Sequence, residues 1–227
     1  MSLLLFDIDG TLLLSGGAGV RAMTRTFAML FGVRDAFATA DIAGRTDTFI
    51  LSRALLRAGI ADTPEQHERF RHAYIEVLQE EIHRPTTSRS GLMPGVQTLL
   101  DEVHRRERFQ LALLTGNFER AAYIKLDHFG IAAFFAWGAF GEESREREEL
   151  ARVAARRAAE RQVPRLARER TIVIGDTPHD VACAHSIGAR CLAVATGNFS
   201  INDLTAAGAD AVLADLSDTE TVLDLLK

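Results

Sequence analysis

Cysteines and long apolar runs are scarce in this sequence, and basic residues are not in excess. Each of these features excludes some classes of protein. Only two cysteines occur among 227 residues, which is too few for a disulfide scaffold, and they lack the paired spacing of a structural zinc site. The formal net charge is −5, whereas a surface that binds nucleic acid usually needs a basic excess. The apolar start at residues 3–6 is interrupted by Asp7 and Asp9 and is too short for a signal-peptide core or a membrane span. We therefore expect a reducing, cytoplasmic compartment, with neither nucleic acid nor a membrane as partner.

The rest of the composition is that of an ordinary globular chain, with 47% hydrophobic and 25% charged residues. Short apolar runs alternate with stretches of helical periodicity. The runs predict buried strands at residues 3–6, 111–114, 171–174 and 191–195, and the periodic stretches predict helices at 96–106, 119–129, 148–161 and 179–187. This alternation predicts an α/β fold with a parallel sheet covered by helices on both faces. Residues 14–91 contain helix-like segments without a convincing strand, so we expect a helical insertion after the first strand.

Two pairs of acidic residues follow predicted strands. Asp7 and Asp9 follow the first strand, and alternation along an extended chain places their side chains on the same side. Asp176 and Asp180 follow the strand at 171–174. Ligands of open α/β sheets bind beyond the carboxyl ends of the strands, and carboxylates that converge there repel one another unless a cation lies among them. Hard oxygen ligands suit magnesium, so the pattern predicts a magnesium site.

Each acidic pair also has a plainer interpretation. The segment Asp9-Gly10-Thr11 has the composition of a simple turn. Asp176 and Thr177 are residue types that commonly cap the N-terminus of a helix. Capping, however, explains one acidic residue more easily than two.

A third predicted strand ends at Thr115-Gly116-Asn117, just before a helix that begins at Glu119. A hydroxyl, a flexible glycine and an amide at the start of a helix could bind an anion, because backbone N–H groups and the helix dipole are available there. The alternative is a strand-to-helix turn with Thr115 or Asn117 as the cap.

These segments together resemble the ordered motifs of the haloacid dehalogenase (HAD) phosphatases. They read Asp7-Ile8-Asp9-Gly10-Thr11-Leu12, Thr115-Gly116-Asn117 and Gly175-Asp176-Thr177-Pro178-His179-Asp180. The insertion after the first motif resembles the mobile helical cap of the branch that includes phosphoglycolate phosphatase and beta-phosphoglucomutase. The resemblance implies a Rossmann-like core domain at 1–13 and 92–227, and a small all-α cap domain at 14–91.

The resemblance also implies a role for each motif residue. Asp7 would attack phosphorus to form an aspartyl-phosphate, and Asp9 would protonate the leaving oxygen and later activate water. Thr115 would bind the transferred phosphoryl group. We also expect contact with substrate from Gly10, Thr11, Gly116 and Asn117. Magnesium would be held by Asp7, the backbone carbonyl of Asp9 and Asp176, with Asp180 supporting it directly or through water.

One residue of the family pattern is missing. The family normally places a Lys before the last motif to bridge the nucleophile and the phosphate, but no Lys lies between Lys125 and Lys227. Arginine carries the same charge on a rigid fork that suits phosphate oxygens. Arg147 and Arg145 are the candidates, and Arg147 is preferred because it lies at the start of the following helix. The alternative is that both are surface charges.

Within the insertion, Arg45 is the candidate for substrate selection, and its alternative is an ordinary loop arginine before a helix capped by Thr46 or Asp47. The predicted function is a magnesium-dependent phosphatase acting on a small phosphorylated metabolite. A phosphomutase would keep every motif. A dehalogenase would need Asp7 but neither Asp9 nor a metal, and a catalytically silent binding module is supported only by the missing Lys.

Overall fold

The computed structural model of the chain describes residues 2–37, 42–106, 108–161 and 170–227. The strands in this part of the chain are β1 (Ser2–Phe6), β2 (Leu13–Ser15), β3 (Ser90–Leu92), β4 (Phe109–Leu114), β5 (Gly138–Ala139), β6 (Thr171–Gly175), β7 (Arg190–Val194) and β8 (Ala211–Leu213). The α-helices are α1 (Ala18–Phe31), α2 (Asp47–Arg57), α3 (Pro64–Glu81), α4 (Val96–His104), α5 (Glu119–His128), α6 (Arg147–Glu160), α7 (Pro178–Ser186), α8 (Ile201–Ala206) and α9 (Thr219–Leu225).

Six of the strands form one parallel sheet in the order β5-β4-β1-β6-β7-β8. The first strand lies inside this sheet, with Phe6 opposite Leu113 of β4 and Ile174 of β6. Because parallel strands point the same way, the residues that follow β1, β4 and β6 all emerge at one edge of the sheet. The predicted α/β fold with a Rossmann-like parallel sheet is therefore confirmed.

Helices cover both faces of the sheet. Alternate residues of β1 belong to separate hydrophobic clusters, since Leu4 and Phe6 pack with α4, α5 and α9, whereas Leu3 and Leu5 pack with α6, α7 and α8. A strand buried on both faces reads as an uninterrupted apolar run, which is why the sequence indicated β1, β4, β6 and β7 clearly.

The chain between β2 and β3 is helical and has its own core. Helices α1, α2 and α3 bury a third hydrophobic cluster that includes Phe27, Phe70 and Tyr74, and Phe118, Ala121 and Ile124 from the start of α5 join it. The insertion is thus packed against one helix of the sheet domain.

The expectation that residues 14–91 contain no strand was wrong at both ends. Strands β2 and β3 pair antiparallel, with Leu13 opposite Leu92 and Ser15 opposite Ser90, and form a ribbon through which the chain enters and leaves the helical block. Three-residue strands are too short to show an alternating pattern, so only the pairing reveals them. Strands β5 and β8, also unpredicted, are short edge strands. Among the helices of the described residues, none combines the length and apolar character needed to span a membrane.

Candidate active site

The acidic residues predicted from the sequence meet at the carboxyl ends of β1 and β6. Asp7 follows β1 and its N–H donates to the carbonyl of Ile174 at 2.9 Å, which aligns the two strand ends. Asp176 follows β6, and Asp180 lies in the first turn of α7. One carboxylate oxygen from each of these three residues lies within 4.8 Å of the others, and all three side chains are buried.

When ionised, the carboxylates of this buried cluster carry more negative charge than the neighbouring cation can neutralise. Burial raises the pKa of Asp7 to about 6, with Arg147 opposing the shift and Asp180 adding to it. Burial also raises the pKa of Asp176 well above its usual range, and the neighbouring charges of Asp180 and Asp7 add to the shift. Within the part of the chain that the structure describes, only Arg147 places a cation against these three carboxylates, so full ionisation leaves two negative charges that this contact does not balance. A divalent cation with oxygen ligands fits this donor set, because it would remove the repulsion that opposes ionisation.

The Asp176 carboxylate fits its position because two glycines leave room for it. Gly10 has a φ of +89°, and a Cβ there would lie 2.3 Å from Asp176 Oδ2. A Cβ on Gly197 would lie 1.7 Å from the same oxygen. Thr11 is fully buried and its hydroxyl donates to Asp176 Oδ1 at 3.0 Å. The structure therefore places Thr11 against a carboxylate, whereas Gly10 lines the cavity as expected of a substrate contact.

Both oxygens of Asp180 are already engaged. Oδ2 accepts hydrogen bonds from the N–H and the hydroxyl of Thr177 at 3.0 and 2.8 Å, which forms a capping box at the start of α7. Oδ1 contacts Arg147 Nη2 at 2.6 Å. The capping interpretation of this segment thus holds for Thr177 and Asp180, while Asp176 faces the cluster. Asp180 fits the supporting role better than that of a direct metal ligand.

The two candidate arginines have different environments. Arg147 begins α6, is buried, and places Nη2 2.9 Å from Asp7 Oδ1. Burial alone would lower the pKa of Arg147, but Asp180 and Asp7 raise it well above the usual value, so the guanidinium stays charged. Arg145, two residues earlier, has a half-exposed side chain that pairs with Asp62 of the helical insertion at 3.0 Å. Of the two, only Arg147 contacts Asp7.

Asp9 is turned away from the carboxylate cluster and is held by two residues of the β4–α5 region. Lys125 Nζ lies 2.8 and 2.6 Å from the two carboxylate oxygens of Asp9, and Asn117 Nδ2 donates to Oδ2 at 2.8 Å. Sequence reasoning did not assign Lys125 to the site. Its only signal was an isolated Lys on a helix that follows a motif, and that signal does not identify its partner.

The segment at the end of β4 lies in the site, but part of the anion-binding capacity of the α5 N-terminus is already used. The N–H of Phe118 donates to Asp47 Oδ2 and that of Glu119 to Glu142 Oε2, both at 2.8 Å. Thr115 is fully buried, and its Oγ1 accepts hydrogen bonds from the amide group and backbone N–H of Asn117. Two of the N–H groups proposed for a phosphate cradle therefore bind the protein's own carboxylates.

The N-cap and first residues of α2 bind the segments around the sheet directly. Thr46 Oγ1 donates to the Arg145 carbonyl at 3.0 Å and Thr48 Oγ1 to the Gly141 carbonyl at 2.6 Å. Asp47 N donates to the Gly116 carbonyl at 2.7 Å, so Asp47 is bound at both its N–H and its carboxylate. We call residues 46–48 the latch. Burial raises the pKa of Asp47 to about 7, with Lys125 opposing the shift.

A cavity of about 260 Å³ lies between the carboxylates and the helical insertion. Its floor includes Asp7, Asp9, Lys125, Arg147, Asp176, Gly116 and Asn117, and its roof includes Val20, Met23, Ile50, Tyr74 and Arg45. The guanidinium of Arg45 lies over the Phe49 ring at 5.0 Å from its centroid. Thr46 caps α2 through the N–H of Phe49, as the alternative interpretation of this segment expected, but Arg45 also reaches the cavity.

The sequence profile of haloacid dehalogenase-like hydrolases matches residues 4–185, which contain every residue of the carboxylate cluster. The chain belongs to this family. Among curated proteins, none matches it in sequence.

Several solved structures share the fold of this chain over almost its entire length. A hydrolase from Pseudomonas syringae is 22% identical, with a TM-score of 0.70 over 99% of this chain and 98% of that one. A predicted phosphoglycolate phosphatase from Haemophilus somnus is 20% identical, with a TM-score of 0.72 over 98% of each chain. CbbY from Rhodobacter sphaeroides, solved in complex with phosphate, is 24% identical, with a TM-score of 0.70 over 96% of each chain. At these identities the likeness shows that the fold is shared.

Proposed function

We propose that this protein is a magnesium-dependent phosphatase that hydrolyses a small phosphate monoester through an aspartyl-phosphate on Asp7. The observation that carries the proposal is the pairing of Asp7 with Arg147 at 2.9 Å inside a buried carboxylate cluster that opens on a cavity beneath the helical insertion. A nucleophilic carboxylate beside a fixed cation is suited to phosphoryl transfer, in which charge neutralisation and positioning supply most of the rate.

The chain's own side chains account for two successive displacements at phosphorus. An Asp7 carboxylate oxygen forms a bond to phosphorus as the ester P–O bond breaks, and the leaving oxygen takes a proton from Asp9. Asp9 then accepts a proton from water while the water oxygen bonds to phosphorus and the Asp7–phosphorus bond breaks. Arg147 stays charged throughout and stabilises the negative phosphoryl oxygens beside Asp7.

Magnesium would be held by Asp7, the backbone carbonyl of Asp9 and Asp176, with Asp180 in support. When bound, it supplies positive charge to the phosphoryl oxygens and removes the repulsion among the carboxylates. Two uncompensated negative charges in the cluster support a divalent ion over a monovalent one.

The expected substrate is small because residues 14–91, which we take as the cap domain, cover the site. The cavity of about 260 Å³ between the carboxylates and this segment suits a small monoester. Arg45 would contact the leaving group from the cap side. Two free, buried cysteines support a reducing, cytoplasmic compartment.

A panel of phosphorylated metabolites, assayed for phosphate release with and without magnesium, tests this function. We expect release from at least one small monoester, its loss after chelation, and its recovery when magnesium is restored. Asp7→Asn is the matched inactive control, because it preserves size while removing the nucleophilic carboxylate. Phosphate release that survives both thorough chelation and Asp7→Asn would refute the mechanism. Isomerised sugar phosphate without net phosphate release would instead indicate a phosphomutase.

A further inference from the structure

Lys125 is a buried cation whose hydrogen-bonding capacity is used entirely by the site. Its side chain is 5% exposed, and Nζ lies 2.8 and 2.6 Å from Asp9 Oδ1 and Oδ2 and 2.6 Å from Asn117 Oδ1. An ammonium group has three N–H donors, so three acceptors saturate it. A buried lysine without such partners would be costly, because desolvation disfavours its charge.

The choice of lysine at this position stands out against the rest of the chain. The sequence contains 26 lysine and arginine residues, and only Lys125 and Lys227 are lysines. Lys227 is exposed, so Lys125 is the only lysine in the interior. A compact ammonium fits among acceptors on several sides, which a planar guanidinium with a fixed fork does not.

The contacts of Lys125 leave Asp9 open toward the cavity. The Asp9 side chain is 41% exposed, whereas Lys125 is almost wholly enclosed. Asn117 completes the arrangement, because its amide donates to Asp9 Oδ2 and Thr115 Oγ1 while its carbonyl accepts from Lys125. The network holds the carboxylate from the protein side in one orientation.

We propose that Lys125 is the positioning residue of this active site: together with Asn117, it fixes the orientation of the Asp9 carboxyl group toward the cavity. This inference rests on the proposed phosphatase function, in which Asp9 transfers the proton at the leaving oxygen. Lys125 acts through Asp9, so its effect depends on how much the reaction needs that proton.

Leaving-group dependence distinguishes this role from a merely structural one. p-Nitrophenolate leaves readily without protonation, whereas an alkoxide does not. In Lys125→Met, we expect kcat for an alkyl phosphate to fall roughly tenfold or more beyond any fall for p-nitrophenyl phosphate, with KM changed less than kcat. In an Asp9→Asn background, Lys125→Met should add no further loss.

Arg120→Met, an exposed change on the same helix, is the control and should leave both rates unchanged. The proposal would be overturned if Lys125→Met lowered kcat equally for the two esters. It would also be overturned if Lys125→Met caused its full loss of kcat in the Asp9→Asn background.

A second measurement does not depend on turnover. Lys125→Met should lower Tm by leaving the Asp9 carboxylate beside an apolar side chain instead of its cation, and adding Asp9→Asn should recover part of that loss. Strictly additive Tm changes would refute the pairing even if the wild type proves inactive, which is the separate failure of the phosphatase proposal. If Lys125→Met does not fold, Asn117→Ala, which removes one of the two groups that bind Asp9, should show the same leaving-group dependence. Its absence there would overturn the proposal.

Discussion

Replacing Arg147 by alanine tests the least conventional part of the site, an arginine where the family pattern has a lysine. The guanidinium is buried, and its Nη2 makes both acidic contacts, at 2.9 Å to Asp7 and 2.6 Å to Asp180. The substitution therefore removes the only cation in direct contact with the cluster among the described residues. Three carboxylates then remain within 4.8 Å of one another.

The expected magnitude follows from these contacts. Loss of one preorganised electrostatic contact to developing charge costs about 3 kcal/mol in the transition state, or roughly a hundredfold or more in turnover. Breaking a buried ion pair from one side also destabilises a fold by about 3–5 kcal/mol. Because one nitrogen makes both contacts, Arg147→Lys should recover part of both losses. Arg145→Ala, whose half-exposed side chain pairs with Asp62, should change either quantity little.

The assay compares kcat/KM and Tm for the wild type, Arg147→Ala, Arg147→Lys and Arg145→Ala, each with and without magnesium. Removing a positive charge from the cluster should strengthen its attraction for a divalent cation. Magnesium should therefore raise Tm more in Arg147→Ala than in the wild type, although the variant turns over far more slowly.

Three results would count against this reasoning. Should Arg145→Ala be the slow variant, the functional cation is two residues upstream and the contact at 2.9 Å has no catalytic role. Should both alanine variants keep full turnover, neither arginine neutralises the phosphoryl charge. A magnesium-induced rise in Tm that is smaller in Arg147→Ala than in the wild type would contradict the inference that Arg147 neutralises part of the negative charge of the cluster.

Three further predictions follow from the same contacts. Asp7→Asn should abolish formation of the phosphoenzyme, whereas Asp9→Asn should spare magnesium binding and slow both proton-transfer steps; near-full activity in both variants, measured by phosphate release, would end the two-carboxylate mechanism. Magnesium should raise the Tm of the wild type and have little effect in Asp176→Asn, as thermal unfolding with and without chelator can check. The folded chain retains the Asp47 proton up to about pH 7, whereas the unfolded chain releases it near 3.8, so this group's contribution to the free energy of unfolding falls as pH rises between those values. Asp47→Asn should flatten that slope in urea unfolding, and an unchanged slope would show that Asp47 is ionised in the fold.

Several features of the chain could be predicted from local sequence because local physics fixes them. Strands β1 and β6 are buried on both faces, so their apolar runs predicted strands that end just before Asp7 and Asp176. Thr177, Pro178 and Asp180 form a cap whose composition is readable within a few residues. The position of Arg147 at the start of a helix was also predictable, and this position directs the Arg147 side chain toward the sheet edge.

Other features depended on contacts between distant segments, and no local pattern encodes those. Strands β2 and β3 exist only because residues 13–15 and 90–92 pair with each other. Lys125 reaches Asp9 across 116 residues of sequence, and that contact depends on how α5 packs beside β1. The sequence at the α5 N-terminus was typical of an anion site, but two of its N–H groups bind the side chains of Asp47 and Glu142. Helical periodicity fixes which residues share a face, whereas only tertiary packing decides what that face meets.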